Sequence, residues 1–391
     1  MSSQKLYTAS FLQLCFSGFL FFSSFNLIIP ELPGFLRSMG GEQYIGLIIA
    51  LFTLTAGISR PFSGKLTDNI GRVPVMIIGA SVCMLAGFIY PLVNTVFAFL
   101  LLRFFHGFST GFKPTGTAAY VADVVPVNRR GEAMGVLGFF SSIGIAMGPT
   151  IGSFIAAHFS LDAMFYCSSI FSFSSILILI NMRETLENRK KFNLSMLKIT
   201  KADVYTPSIL PAAIVMMFSV YAFGTVLTII PDFSDSLQIA NKGYFFAYFT
   251  VASLMVRIFM GKLSDKYGRE PILIVALIGL TITLFFTGSA STENELLFAA
   301  FMLGFFVGFL SPTIFAWAID LSGENQRGRA MATLYIALEI GIGSGALFSG
   351  LIYANKIENV IYVFWACALS TLIALIYLVY YQFTKKQVIS Q

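Results

Sequence analysis

Ionisable side chains lie inside long apolar segments of this chain, where they are rare. Arg103, His106, Thr110, Lys113 and Thr117 recur at steps of three or four residues, so they share one face of a helix. Charged groups in such a segment are costly and normally face a cavity or a partner. The stripe is predicted to line a polar path. Structural ion pairs for Arg103 and Lys113 and a packed imidazole at His106 are the alternatives.

One carboxylate, Glu339, lies deep inside a predicted apolar segment. It is about 14 Å from the segment end at Ala330, and Lys113 is about 15 Å from Asp123, at 1.5 Å per residue. A buried carboxylate that faces a lysine can take up or release a proton as its surroundings change. Glu339 is therefore the candidate proton carrier, with Asn26 assigned to the same pathway. A static Lys113–Glu339 pair is the alternative.

The elements that carry these residues are membrane-spanning helices. Of 391 residues, 57% are hydrophobic and 11% are charged, whereas soluble chains average about 25% charged residues. Runs of about 20 apolar residues, the length that crosses a bilayer, follow one another along the chain. The predicted spans 1 to 12 are 6–29, 43–63, 74–93, 96–121, 131–157, 161–181, 207–230, 243–260, 271–290, 295–318, 330–353 and 359–382. The predicted fold is all-α.

The distribution of Lys and Arg predicts how the spans are oriented, because cytoplasmic loops are enriched in these residues. One side has only Arg37, Lys242 and Lys356, and the other has most of the remaining positive charges. Both termini are therefore predicted to be cytoplasmic in a multi-pass cell-membrane protein. The charged stretch 182–206 is predicted to be a linker between an N-terminal bundle, 1–181, and a C-terminal bundle, 207–391.

The two halves of the sequence contain an internal repeat. Residues 60–74 and 257–271 are identical at nine of fifteen positions at an offset of 197. The same offset pairs Asp123 with Asp320 and residues 130–134 with 327–331. Parallel repeats of this kind let two bundles rock about a central site, which is the basis of alternating access. The repeat therefore predicts two pseudo-symmetric bundles of six helices each.

The repeated segment Gly64-Lys-Leu-Thr-Asp-Asn-Ile-Gly-Arg72 resembles the signature loop of the major facilitator superfamily, G-x-L-x-D-x-x-G-R, and 261–269 is a second copy. The resemblance covers essentially the whole chain. It implies a cytoplasmic latch in which Asp68 and Asp265 help hold the two halves closed. The cytoplasmic gate that it implies contains Gly64, Asp68, Gly71, Arg72, Asp123, Arg130, Gly261, Asp265, Gly268, Arg269, Asp320 and Arg327.

Span 5 contains a series of glycines that resembles the antiporter motif of exporter branches, G-x8-G-x3-G-P-x2-G-G. The matching residues are Gly135, Gly144, Gly148, Pro149 and Gly152. Ser153 replaces the usual last glycine of this motif. Separately, span 4 resembles the family pattern R-x-x-Q-G, with His106 in place of glutamine. Small residues four apart let a neighbouring helix approach closely. The resemblance implies export, and generic close packing is the alternative.

The resemblance to twelve-helix drug:proton antiporters implies a secondary active transporter that exports a small organic solute against protons. The positive stripe in span 4 favours an anionic or zwitterionic solute. Proton-coupled uptake of a sugar or organic acid, lipid flipping and a transporter-like receptor remain alternatives. The sequence contains no ATP-binding motif, metal cluster or nucleophile–base pattern. We therefore expect no enzymatic activity, cofactor, metal or nucleic-acid partner. We expect the chain to be a monomer.

Overall fold

The described chain is built from helices and the segments that connect them. The structure is a computed structural model that describes residues 8–125, 130–199, 206–322 and 327–389. Its α-helices are α1 Ala9–Leu27, α2 Leu32–Arg37, α3 Ile45–Asn69, α4 Arg72–Ile89, α5 Val96–His106, α6 Phe108–Val124, α7 Arg130–His158, α8 Leu161–Ile180, α9 Leu210–Ser236, α10 Gly243–Tyr267, α11 Arg269–Gly288, α12 Glu293–Leu321, α13 Arg327–Tyr353 and α14 Val360–Ile389. Over the described ranges the chain has no β-strand.

Each of the twelve predicted spans coincides with a helix, and span 4 is divided into α5 and α6 at Gly107. Within the described part of the chain, ten helical segments are long and apolar enough to cross a membrane. The predicted all-α membrane fold is confirmed. Span 7 ends later than predicted, because α9 continues through Pro231 to Ser236.

Several helices begin where a hydroxyl side chain can cap them. Thr8, Thr95, Ser160 and Thr292 precede α1, α5, α8 and α12, and each accepts a hydrogen bond from the backbone N–H three residues later. This bond satisfies one of the amide groups that a helix N-terminus leaves without a partner. Polar residues between apolar runs therefore fix where these spans start.

By packing, the chain divides into two compact units. The first unit contains Met1–Phe35 and Leu54–Thr200, and the second contains Leu36–Thr53 and Lys201–Gln391. The predicted boundaries at 182 and 207 differ from this division in two segments: 36–53 packs in the second unit, and most of the predicted linker packs in the first. In the first unit α1 packs against α7 and α8, and in the second α9 packs against α13 and α14.

Candidate functional site

The first signature loop is a tight connection between α3 and α4 in the first unit. Gly71 precedes α4 with φ of 127°, a left-handed backbone region that favours glycine. The Arg72 guanidinium donates from Nε to Asp123 Oδ2 at 2.9 Å and from Nη1 to the Thr67 carbonyl at 2.6 Å. Its contact with Asp68 is longer, at 3.3 Å. Arg72 therefore joins the ends of α3, α4 and α6.

A residue from the predicted linker completes this loop. The Glu184 carboxylate accepts hydrogen bonds from the backbone N–H groups of Arg72 at 3.0 Å and Val73 at 2.9 Å. These N–H groups lie in the first turn of α4, where amides have no acceptor within the helix and a negative charge is favourable. A Cβ added to Gly71 would lie 2.5 Å from Glu184 Oε2. The next residue, Thr185, donates to Asp123 Oδ2 at 2.6 Å, so the segment after α8 is part of the network.

The second signature loop repeats the geometry of the first in the second unit. Gly268 has φ of 89°, and Arg269 Nε donates to Asp320 Oδ2 at 2.9 Å. Arg269 Nη1 donates to Ser264 Oγ at 2.7 Å, the position that matches Thr67 at the offset of 197. The Arg–Asp contact is thus duplicated, whereas Nη1 donates to the Thr67 backbone carbonyl in the first loop and to the Ser264 side chain in the second. The other predicted gate residues, Arg130, Gly261, Asp265 and Arg327, lie outside the described side chains.

The role of Asp68 in closing the two halves stays a prediction. Its side chain is 72% exposed and its described ionic contact is with Arg72, four residues later on the chain. Gly64 has open space around it, with nothing within 4 Å of an added Cβ. Gly71 is therefore the glycine of the first loop that the local contacts require.

The glycines of span 5 seat α7 directly on the backbone of α1. An added Cβ would lie 2.6 Å from the Phe19 carbonyl oxygen at Gly144, 2.8 Å from that of Ser23 at Gly148 and 1.8 Å from that of Leu27 at Gly152. Contacts this short leave no room for a side chain. The first glycine of the motif, Gly135, is different, because nothing lies within 4 Å of its added Cβ.

The serine that departs from the motif has a specific partner. Ser153 Oγ donates a hydrogen bond of 2.8 Å to Glu31 Oε1, which lies in the short turn after α1. The polar contact adds to the glycine packing between the same two segments. Pro149 lies inside α7, whereas the second unit achieves equally close packing of α13 on α9 at Gly341 and Gly345 without a proline.

Arg103 and His106 are buried inside the first unit, where they bond to neighbouring side chains. Arg103 Nη1 lies 3.2 Å from the Tyr90 hydroxyl and 3.4 Å from His106 Nδ1. His106 Nε2 lies 3.3 Å from Cys83 Sγ. Both residues are at most 1% exposed. These contacts favour the structural alternative for His106, and the assignment of both residues to the pathway stays a prediction.

Lys113 is also buried in the first unit, with 1% exposure. Its Nζ donates to the Ser17 carbonyl at 3.1 Å and lies 4.8 Å from the ring centroid of Phe21. Asn26 is buried as well and donates to the Phe22 carbonyl of its own helix. Glu339 is 8% exposed near the middle of α13. Pairing of Lys113 with Glu339 stays a prediction.

Several residues that make specific contacts are not among those predicted from the sequence. Glu184 and Thr185 lie in the segment predicted to be a linker, although a carboxylate directly after a span is a usable signal. Asp232 lies beyond the predicted end of span 7, yet its side chain is only 5% exposed and forms an ion pair with Arg37. Tyr90, the phenol partner of Arg103, has no distinguishing signal in the sequence.

A comparison of the sequence with protein-family models identifies the family to which the chain belongs. The model of the Major Facilitator Superfamily matches residues 14–238 and 209–390. The chain belongs to this superfamily. It is therefore a multi-pass membrane transporter, in a family whose members carry small molecules.

Two curated relatives align over most of their length. Multidrug resistance protein 2 of Bacillus subtilis is 25% identical over 359 residues, which cover 89% of this chain and 90% of the relative. The multi-drug resistance efflux pump PmrA of Streptococcus pneumoniae is 29% identical over 359 residues, covering 86% and 88%. The inward-open structure of the xylose transporter XylE from E. coli has a TM-score of 0.78 at 15% identity and covers 96% of each chain. That likeness shows the shared fold.

Proposed function

We propose that this chain is a proton-coupled exporter of a small organic solute that works by alternating access. The observation that carries the proposal is similarity over nearly the whole chain to relatives named as multidrug resistance proteins and a multi-drug resistance efflux pump. The close seating of α7 on α1 at Gly148 and Gly152 supports it, because the matching motif belongs to exporters. The carrier performs no covalent chemistry and needs no cofactor.

Glu339 is the proposed proton carrier. It is a carboxylate with 8% exposure near the middle of α13. A charged group that deep in a span is costly, so it normally faces a cavity or a partner and often marks a transport path. A proton bound from one side and released to the other would couple its gradient to solute movement. Lys113, which is 1% exposed in the first unit, is the proposed countercharge. Protons are thus the proposed coupling ion, both termini are proposed to be cytoplasmic, and the carrier is proposed to act as a monomer.

Transport into inverted membrane vesicles with an acidic lumen tests the proposal. Three fluorescent probes, one cationic, one zwitterionic and one anionic, report the solute class in parallel. We expect at least one probe to accumulate, and accumulation to stop when an ionophore that exchanges potassium for protons collapses the pH gradient. Vesicles from cells without the protein are the control.

The results separate export from the alternatives. Accumulation that survives collapse of the pH gradient would contradict proton coupling. Movement of sugars or organic acids together with protons, rather than against them, would support uptake instead. Transfer of a fluorescent phospholipid between leaflets, with no probe accumulation, would favour a lipid flippase.

A further inference from the structure

An ion pair in the second unit fastens a segment from the first half of the sequence. Residues 36–53 belong by packing to the second unit, and we name them the strap. Arg37, at the end of α2, forms an ion pair through Nη2 with Asp232 of α9. Its Nε donates to Asn355 Oδ1 at 3.0 Å. The strap is therefore held by two side chains that lie far away in the sequence.

The backbone around Asn355 is shaped for this contact. Ala354 and Asn355 have φ of 47° and 56°, in the left-handed region that residues other than glycine rarely adopt. Asparagine tolerates this region better than most residues. Such backbone conformations persist only where surrounding contacts hold them, and they cluster at switch regions. Here the turn directly after α13 presents the Asn355 amide oxygen to Arg37.

A second contact fastens the strap by its backbone. An added Cβ at Gly350 would lie 2.6 Å from Gly46 Cα, and one at Gly46 would lie 2.7 Å from the Ala346 carbonyl oxygen. Farther along the strap, Thr53 faces Gly343 of α13, where an added Cβ would lie 2.6 Å from Thr53 Oγ1. The strap end of α3 thus packs on α13 without intervening side chains at Gly46, a geometry that small residues permit.

The two ions differ in exposure, so that the carboxylate favours the closed contact and the guanidinium can be hydrated in the open one. The Arg37 side chain is 31% exposed and that of Asp232 is 5% exposed. Water can therefore solvate the guanidinium when it leaves, while the buried carboxylate is stable only with a partner. The nearby ionisable groups are Tyr353 in the last turn of α13 and Asp235 on α9. Asp235 is engaged by Lys242 at 2.9 Å.

From these contacts we propose that the strap is a releasable latch, and that Arg37 must leave Asp232 and Asn355 once in each transport cycle. The proposal rests on the proposed alternating-access function. The helix that begins in the strap, α3, has 25 residues, which is about 37 Å at 1.5 Å per residue. Its far end carries Asp68 of the signature loop.

A labelling experiment tests the latch without relying on transport. The reporter is Thr53→Cys, a small change at the last residue of the strap. Thr53 is 4% exposed. It is placed in a background whose native cysteines, at positions 15, 83, 167 and 367, are replaced by serine or alanine. Purified protein in detergent is labelled with a maleimide, so that the reagent reaches both faces. We expect Arg37→Gln to raise the labelling rate about fivefold or more.

Two matched variants give the test its controls. Lys242→Gln removes the ion pair with Asp235, which lies on α9 as Asp232 does. This variant should leave the labelling rate unchanged. Arg37→Lys keeps the positive charge for Asp232 but loses the second nitrogen that bonds Asn355, so its rate should lie between those of the reporter alone and Arg37→Gln. Equal labelling rates for Arg37→Gln and Lys242→Gln would overturn the latch.

Transport by the same variants distinguishes the latch from the proposed function. We expect Arg37→Gln to slow probe accumulation while Lys242→Gln does not. If no variant, including the unsubstituted chain, moves any probe, the proposed function fails although the labelling result still reports on the strap. If Arg37→Gln transports at the unsubstituted rate despite faster labelling, the strap opens but is not a step of the cycle, and the proposal is overturned.

Discussion

The prediction with the clearest magnitude concerns two glycines of the same motif on the same helix. At Gly152 an added Cβ would lie 1.8 Å from the Leu27 carbonyl oxygen, and ordinary contact begins at 3.4 Å. Gly152→Ala therefore forces α7 and α1 apart locally by about 1.6 Å in a close-packed interior. At Gly135 nothing lies within 4 Å of the added atom. Gly135→Ala therefore meets no obstacle.

The expected effects have opposite signs. Overpacking of a tight interior costs about 1–3 kcal/mol, and alanine in place of glycine inside a helix gains about 0.5–1 kcal/mol. The sum destabilises Gly152→Ala by up to about 2.5 kcal/mol. Gly135→Ala keeps only the helix gain and should be about 0.5–1 kcal/mol more stable. Gly152→Leu adds further atoms at the same contact and should lose transport.

Thermal unfolding of the purified variants in detergent, followed by loss of the monodisperse peak in size-exclusion chromatography, measures the difference. We expect a lower apparent Tm for Gly152→Ala and an equal or higher one for Gly135→Ala. Transport of the same probe, normalised to the amount of folded protein, follows in vesicles. Equal Tm shifts for the two variants would refute the reasoning that α7 is seated on α1 through Gly152.

Three other variants test the first signature loop and the proposed proton carrier. Glu184→Gln should weaken the start of α4 by about 1 kcal/mol and lower the Tm, whereas the exposed Glu187→Gln should not; equal Tm values would argue against the cap. Asp68→Asn should slow transport and leave the Tm unchanged, because the Asp68 side chain is 72% exposed. Wild-type transport kinetics would count against the predicted cytoplasmic latch. Glu339→Gln should abolish accumulation yet allow downhill exchange, and gradient-driven accumulation by Glu339→Gln with Lys113→Met would exclude Glu339 as the proton carrier.

Much of the fold could be predicted from the sequence because the bilayer imposes simple local requirements. A span needs about 20 apolar residues whatever its neighbours are, so hydropathy located a helix for each predicted span. The repeat at an offset of 197 predicted the duplicated loops, and the contacts of Arg72 with Asp123 and of Arg269 with Asp320 match one another at 2.9 Å. The positions of the spans and of the two loop copies depend on residue order alone.

The partners of individual side chains depended on which helix faces meet, and spacing along one helix cannot supply that information. The spacing predicts one polar helical face for Arg103, His106 and Lys113. The tertiary structure places Arg103 against Tyr90 and His106 against Cys83 inside the first unit. A periodic stripe identifies a buried face and leaves open whether protein or a cavity covers it.

The sequence by itself determined the membrane class, the helices and the two copies of the signature loop. Tertiary structure alone decided that Glu184 caps α4, that Gly152 lies against α1 and Gly135 does not, and that Arg37 pairs with Asp232. The physical reason is the range of the forces involved. Burial of apolar length acts on each segment separately, whereas hydrogen bonds and ion pairs need atoms within about 3 Å, and residues such as Arg37 and Asp232 reach that distance only after the helices pack.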